Sequence, residues 1–153
     1  MPSKLLVVRS ADKISGTATA FTVDLGDRLA CRGYSKCKLK FLDAGIETTG
    51  ATVKLIQLNS KDMLFVNARM GQSSVDTKGL DATIGYLKLA KTNSSTSSTS
   101  GATHHARTPA LCETECNIPR GLVDFSVTTH DYGVLSTTGI ANVSIIIQLE
   151  YFI

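Results

Sequence analysis

Val143, Ile145, Ile147, Leu149, Tyr151 and Ile153 share one face of the C-terminal stretch, and Ser144, Gln148 and Glu150 lie on the other. That is the two-residue period of a strand with one buried face. Ile146 and Phe152 break the polar face, so a neighbour is expected to cover part of it. The same period runs through Phe21–Leu25, with Thr22 and Asp24 outward. It recurs in Lys36–Phe41, where Cys37, Leu39 and Phe41 point inward and three lysines form a stripe. Leu122–Thr128 places Val123, Phe125 and Val127 inside. Lys4–Arg9 and Met63–Ala68 are short, nearly continuous apolar runs, the composition of strands covered on both faces. Thr52–Leu58 starts β-branched and apolar. Around Ala82–Leu89, Leu80, Ile84 and Leu87 also fit a helical stripe, but Gly85 and the short length favour a strand.

Turn signals separate these runs: Ser15-Gly16, Gly26-Asp27, Gly33, Asp43 to Gly50, Asn59 to Asp62, Gly71 to Gly79 and Asp131 to Gly139. About eight strands without a long helix predict an all-β fold, one antiparallel β-sandwich or barrel over residues 1–153. An eight-stranded jelly roll fits the count, and an immunoglobulin-like sandwich fits it too. Residues 92–103 read TNSSTSSTSGAT. Such a segment buries no core and is predicted to be a mobile, exposed loop. Asn93-Ser94-Ser95 and Asn142-Val143-Ser144 match the N-glycosylation pattern, the second inside a predicted strand.

The length of 153 residues suits one domain with a real core. No apolar run reaches the roughly 18 residues of a membrane helix. The start, MPSKLLVVRS, lacks the pattern of a secretory signal, which predicts a protein kept in the cytosol or built into a particle there. Net charge is +3, and residues 1–40 hold eight basic against three acidic side chains. A basic end can steer a chain toward nucleic acid, but no aromatic-interleaved platform accompanies it. A solvated polar face is the simpler reading, and direct nucleic-acid binding is not expected. Cys31, Cys37, Cys112 and Cys116 have no standard zinc spacing, even with His104 and His105 nearby. Free thiols are the default without a secretory signal, and a disulfide formed late, in an oxidised particle, is the alternative; four cysteines allow three pairings, and the sequence does not choose among them.

No catalytic constellation emerges. The chain lacks a nucleophile elbow, a phosphate-cradling loop, a dinucleotide fingerprint and a His-Glu-x-x-His motif. His130-Asp131 sits in a turn, and the acidic residues are scattered. No enzyme activity, cofactor or metal is expected.

Residues 7–25 read Val-Val-Arg-Ser-Ala-Asp-Lys-Ile-Ser-Gly-Thr-Ala-Thr-Ala-Phe-Thr-Val-Asp-Leu. A strand ending in Ser, then Asp-Lys, Ser-Gly-Thr and Phe-Thr-Val-x-Leu, resembles the N-terminal pattern of single jelly-roll penton and minor capsid proteins of large double-stranded DNA viruses. Lys38–Ile46 is similar to that family's next strand. Asn117–Gly121 and the ending Gln148–Phe152 add weaker support. The resemblance covers the first third and last quarter of the chain. It implies a structural virion protein assembled in the host cytoplasm, a homopentamer closing icosahedral fivefold vertices against neighbouring major and minor capsid proteins. Ile146 and Phe152 would then suit a subunit interface, though a loop of the same chain would cover them equally well. A minor capsid role elsewhere in the shell, or a receptor- or carbohydrate-binding β-sandwich, are the alternatives.

Overall fold

The alternation at the C-terminus sets the architecture. In the computed structural model, strand β10 (Ile140–Phe152) buries Val143, Ile145, Ile147, Leu149 and Tyr151 completely. The structure describes residues 2–48, 63–69, 83–88, 103–105, 113–129 and 140–153. Antiparallel β1 (Ser3–Arg9) and β4 (Lys36–Thr48) flank β10 on its two sides. The far edge of β4 pairs with β7 (Thr103–His105) along one stretch and β8 (Glu113–Asn117) along another. A second antiparallel sheet has the order β2 (Ser15–Gly16), β3 (Ala20–Asp24), β9 (Leu122–Thr129), β5 (Met63–Ala68), β6 (Thr83–Lys88).

The two sheets form a sandwich-like arrangement. Phe41 of β4 reaches across to Gly85 of β6, where a β-carbon would clash with the phenyl ring. The glycine that disfavours a helix in this stretch is the position that admits Phe41. In the second sheet, Phe21 and Phe125 stack as a cross-strand pair with centroids 5.8 Å apart. Leu25 and Leu29, in the connection between β3 and β4, are buried at the end of this core.

Seven of the predicted strands appear in place; the eighth, Thr52–Leu58, lies outside the described residues. Three short strands raise the number among the described residues to ten. β2 occupies the predicted Ser15-Gly16 turn, where Gly16 has φ 98° and the tight return to β3 leaves no room for a β-carbon. β7 and β8 carry no two-residue apolar period, so pattern reading passes over them. β4 also continues through the predicted turn at Asp43. A register shift opposite Ile146 and Ile147 absorbs one residue and returns Ala44 and Ile46 to the buried face. The Ser/Thr-rich segment lies outside the described residues, except Thr103, which opens β7.

Candidate functional site

β1 is held in place from both of its ends. At the C-terminal end, buried Ser10 donates from Oγ to Asn142 Oδ1 at 2.9 Å and accepts from the Val143 N–H at 2.9 Å. The Ala11 N–H donates to the same Asn142 oxygen at 3.0 Å. This explains a serine at the end of the strand, and it engages the side chain of the Asn142 glycosylation pattern in the fold. At the N-terminal end, Lys4 Nζ donates to the Arg28 and Ala30 carbonyls at 3.3 and 3.0 Å and sits 5.9 Å from the Tyr151 ring centroid.

So anchored, β1 turns Leu6 and Val8 toward the core and Leu5 and Val7 away from it. Leu5 is 61% exposed and Val7 37%. The composition of the run is that of a strand covered on both faces; the chain itself covers the inner face and leaves the outer one open. Val7 lies directly opposite Ile146, and Leu5 opposite Gln148. Ile146, half-buried, thus belongs to an outward strip with Val7 and Leu5. Phe152, also half-buried, is six residues further along β10, about 20 Å away at the rise of a strand. The two predicted interface residues share a face but do not form one cluster. Leu5 and Val7 are the members that sequence reading missed, since an unbroken apolar run does not say which face stays open.

β1 is also an edge: among the described residues it pairs with β10 alone. Beside it a cleft of about 530 Å³ opens between β1 and β3, floored by Val8, Val23 and Leu25 and rimmed by Arg9, Arg28 and Asp12. Ile14, 58% exposed, stands at the same cleft. An exposed apolar edge strand next to an apolar-floored cleft is a surface suited to another chain.

Lys38 of the lysine stripe faces Glu150 on one side and Glu115 on the other, and Lys40 is opposite Glu113. Lys40 Nζ makes an ion pair with Glu150 Oε1 at 2.7 Å. That bond, first, holds the Glu150 carboxyl below its ordinary range against the opposing effect of burial, and the charges of Lys40 and Lys38 add to it. The stripe thus sets lysines beside carboxylates on one sheet face, with the Lys40–Glu150 ion pair formed.

A second cleft, about 380 Å³, lies over β3, β5 and β9. Several of its polar groups bond to one another: Thr22 Oγ1 donates to Asp124 Oδ1 at 2.6 Å, and Asn67 Nδ2 to Ser126 and Thr128 at 3.3 and 3.0 Å. Its aromatic members, Phe21 and Phe125, are buried and offer no stacking face.

Cys37 and Cys116 are brought together, and Cys31 packs at the margin of the same core. His104 and His105 lie in β7 opposite Ile46 and Gly45; Cys112 and His130 lie outside the described residues. Among the described residues, no group of three or more His, Cys, Asp or Glu is placed to hold a metal ion. No helix among them is long and apolar enough to cross a membrane. No protein-family model matches the chain, and no curated protein is significantly similar to it.

Proposed function

We propose that this protein is a structural subunit of the capsid of a large double-stranded DNA virus, the pentameric penton that closes fivefold vertices. The observation that carries the reading is β1: its composition is that of a doubly covered strand, yet Leu5 and Val7 stand exposed beside Ile146. A second copy of the chain supplies the missing cover. A heterologous contact of this kind, repeated around an axis, closes into a ring.

The strand pairings support a jelly roll as the finer fold. With short β2 and β7 set aside, the first of the eight remaining strands among the described residues pairs with the last, the second with the seventh, the third with the sixth and the fourth with the fifth. One long antiparallel hairpin rolled up as a sandwich has this nesting, and viral shells use it widely. The pattern over residues 7–25, which resembles penton and minor capsid proteins, forms the end of β1, the Ser10 turn, β2 and β3 in succession. The subunit acts through contacts with its own copies and neighbouring capsid proteins, without catalytic turnover. Quantitative mass spectrometry of purified, protease-treated particles tests the role: the chain is retained in fixed ratio to the major shell protein, and its absence rejects the reading.

The cleft over β3, β5 and β9 favours a second reading, a receptor- or carbohydrate-binding sandwich. The hydrogen bonds that Thr22, Asp124, Asn67, Ser126 and Thr128 make among themselves weaken that reading. Specific binding on a glycan array by a chain absent from particles would make it the lead.

A further inference from the structure

Cys37 and Cys116 occupy directly opposed positions in the antiparallel register of β4 and β8. Such pairs have Cα atoms about 4.5–5.5 Å apart, inside the roughly 4.4–6.8 Å that a disulfide spans. Both are buried free thiols, and their Sγ atoms lie 3.5 Å apart. Small side-chain rotations bring the sulfurs to bonding distance without moving the backbone.

The strand that carries Cys116 is weakly held. In β8, Cys116 is the one buried apolar side chain among those described, and Glu115 and Asn117 are exposed. The Thr114 hydroxyl is buried without a hydrogen-bond partner, a cost that falls on the same strand. β8 sits at the sheet edge, paired among the described residues with β4 alone. A covalent tie adds most where so little else holds a strand. It also closes a long loop, Cys37 and Cys116 being 79 residues apart, which removes more freedom from the unfolded chain than a short loop does.

We propose that Cys37 and Cys116 are a modification site, a preformed dithiol that becomes a disulfide fastening β8 to β4 when the protein meets a disulfide oxidant. The oxidant is a small-molecule or protein disulfide. One protein thiolate attacks an oxidant sulfur, forms a mixed disulfide and expels the first oxidant thiolate. The second protein thiolate then attacks the protein sulfur of that mixed bond and expels the other. The two protons lost by the cysteines end on the two released thiols, and the oxidant disulfide is reduced as the protein dithiol is oxidised. The hydrogen bond between the sulfurs lowers the Cys37 thiol, against an opposing effect of burial, and raises Cys116. Because Cys37 is fully buried, attack waits on opening of the β8 edge.

The test uses the full chain equilibrated in oxidised glutathione, quenched with N-ethylmaleimide and digested for peptide mapping. The expected product is a crosslinked peptide holding Cys37 and Cys116, with a melting midpoint higher by on the order of 10 °C than that of the reduced chain. Cys116→Ser abolishes both. If that variant fails to fold, the wild-type map decides by itself. A crosslink that instead uses Cys31 or Cys112, or full alkylation of Cys37 and Cys116 after oxidation, overturns the proposal.

Discussion

Val7 and Ile146 are cross-strand partners on the outer face of the first sheet, opposite the core side of their own strands. Replacing both with Thr keeps β-branched shapes while removing apolar surface. The expected result is a folded chain with a melting midpoint within about 4 °C of wild type. Incorporation into particles, read by quantitative immunoblot against the major shell protein, falls at least about tenfold, the loss of roughly 1.4 kcal/mol per contact. Undiminished incorporation would remove this face from the assembly surface.

Ile147, the next residue, points the other way and is fully buried. Ile147→Asp places an unpaired charge in the core and is expected to cost about 3 kcal/mol or more. Denaturant titration checks it: the variant is insoluble or has a much lower midpoint. The contrast between adjacent positions tests the register of β10 directly.

The Tyr151 hydroxyl donates to the Leu29 carbonyl at 2.5 Å and pins the connection between β3 and β4 to the core. Tyr151→Phe leaves that carbonyl without its donor and is expected to cost about 1–2 kcal/mol in urea unfolding. Burial first, then the neighbouring Cys37 and Cys31 side chains, push the phenol upward. The folded chain therefore keeps the proton past the ordinary phenol value of about 10, where the unfolded chain releases it. This contribution is complete below that pH and is lost as pH rises through the folded value. Stability measured across pH 9–11 should fall less steeply in Tyr151→Phe than in wild type.

Glu150 shows the opposite sign. Its hydrogen bond from Lys40 favours the charged form, so the folded carboxyl titrates below the unfolded one. Its stabilisation is present above the ordinary carboxylate range and disappears as pH falls through the folded value. Glu150→Gln is expected to flatten the acid limb slightly, because exposed pairs are worth little. A melting series from pH 7 to 3 with and without added salt reads it.

Gly85 is the packing test. A methyl there meets the Phe41 ring, and Gly85→Ala is expected to cost about 1–3 kcal/mol by overpacking. Recovery of stability in Gly85→Ala with Phe41→Leu, measured as a double-mutant cycle, would show that the contact between the sheets is the cause.

Strands with strong alternation were legible in the sequence because one face had to be buried. β10, β9 and β3 follow the written pattern closely. β8 was not legible: Glu113-Thr114-Glu115-Cys116-Asn117 reads as polar, and its position depends on the ladder that β4 offers. The Asp43 region reads as a turn by composition, but pairing with β10 overrides local preference and turns it into a bulge. Ile146 was legible as an apolar residue on the wrong face. Its companions Leu5 and Val7 were not, since an unbroken apolar run does not say whose surface covers it. Nor did four cysteines reveal a pairing; only the register sets Cys37 against Cys116.

The central claim is that this chain closes the vertices of a shell, with the open face of β1 covered by the next copy. A particle reconstruction with localised refinement at the fivefold axes tests it most directly. The account predicts density for this sandwich in five copies around each vertex, with Leu5, Val7 and Ile146 buried against a neighbouring subunit. Density elsewhere in the shell contradicts the penton assignment, and particles lacking the chain altogether contradict the capsid role.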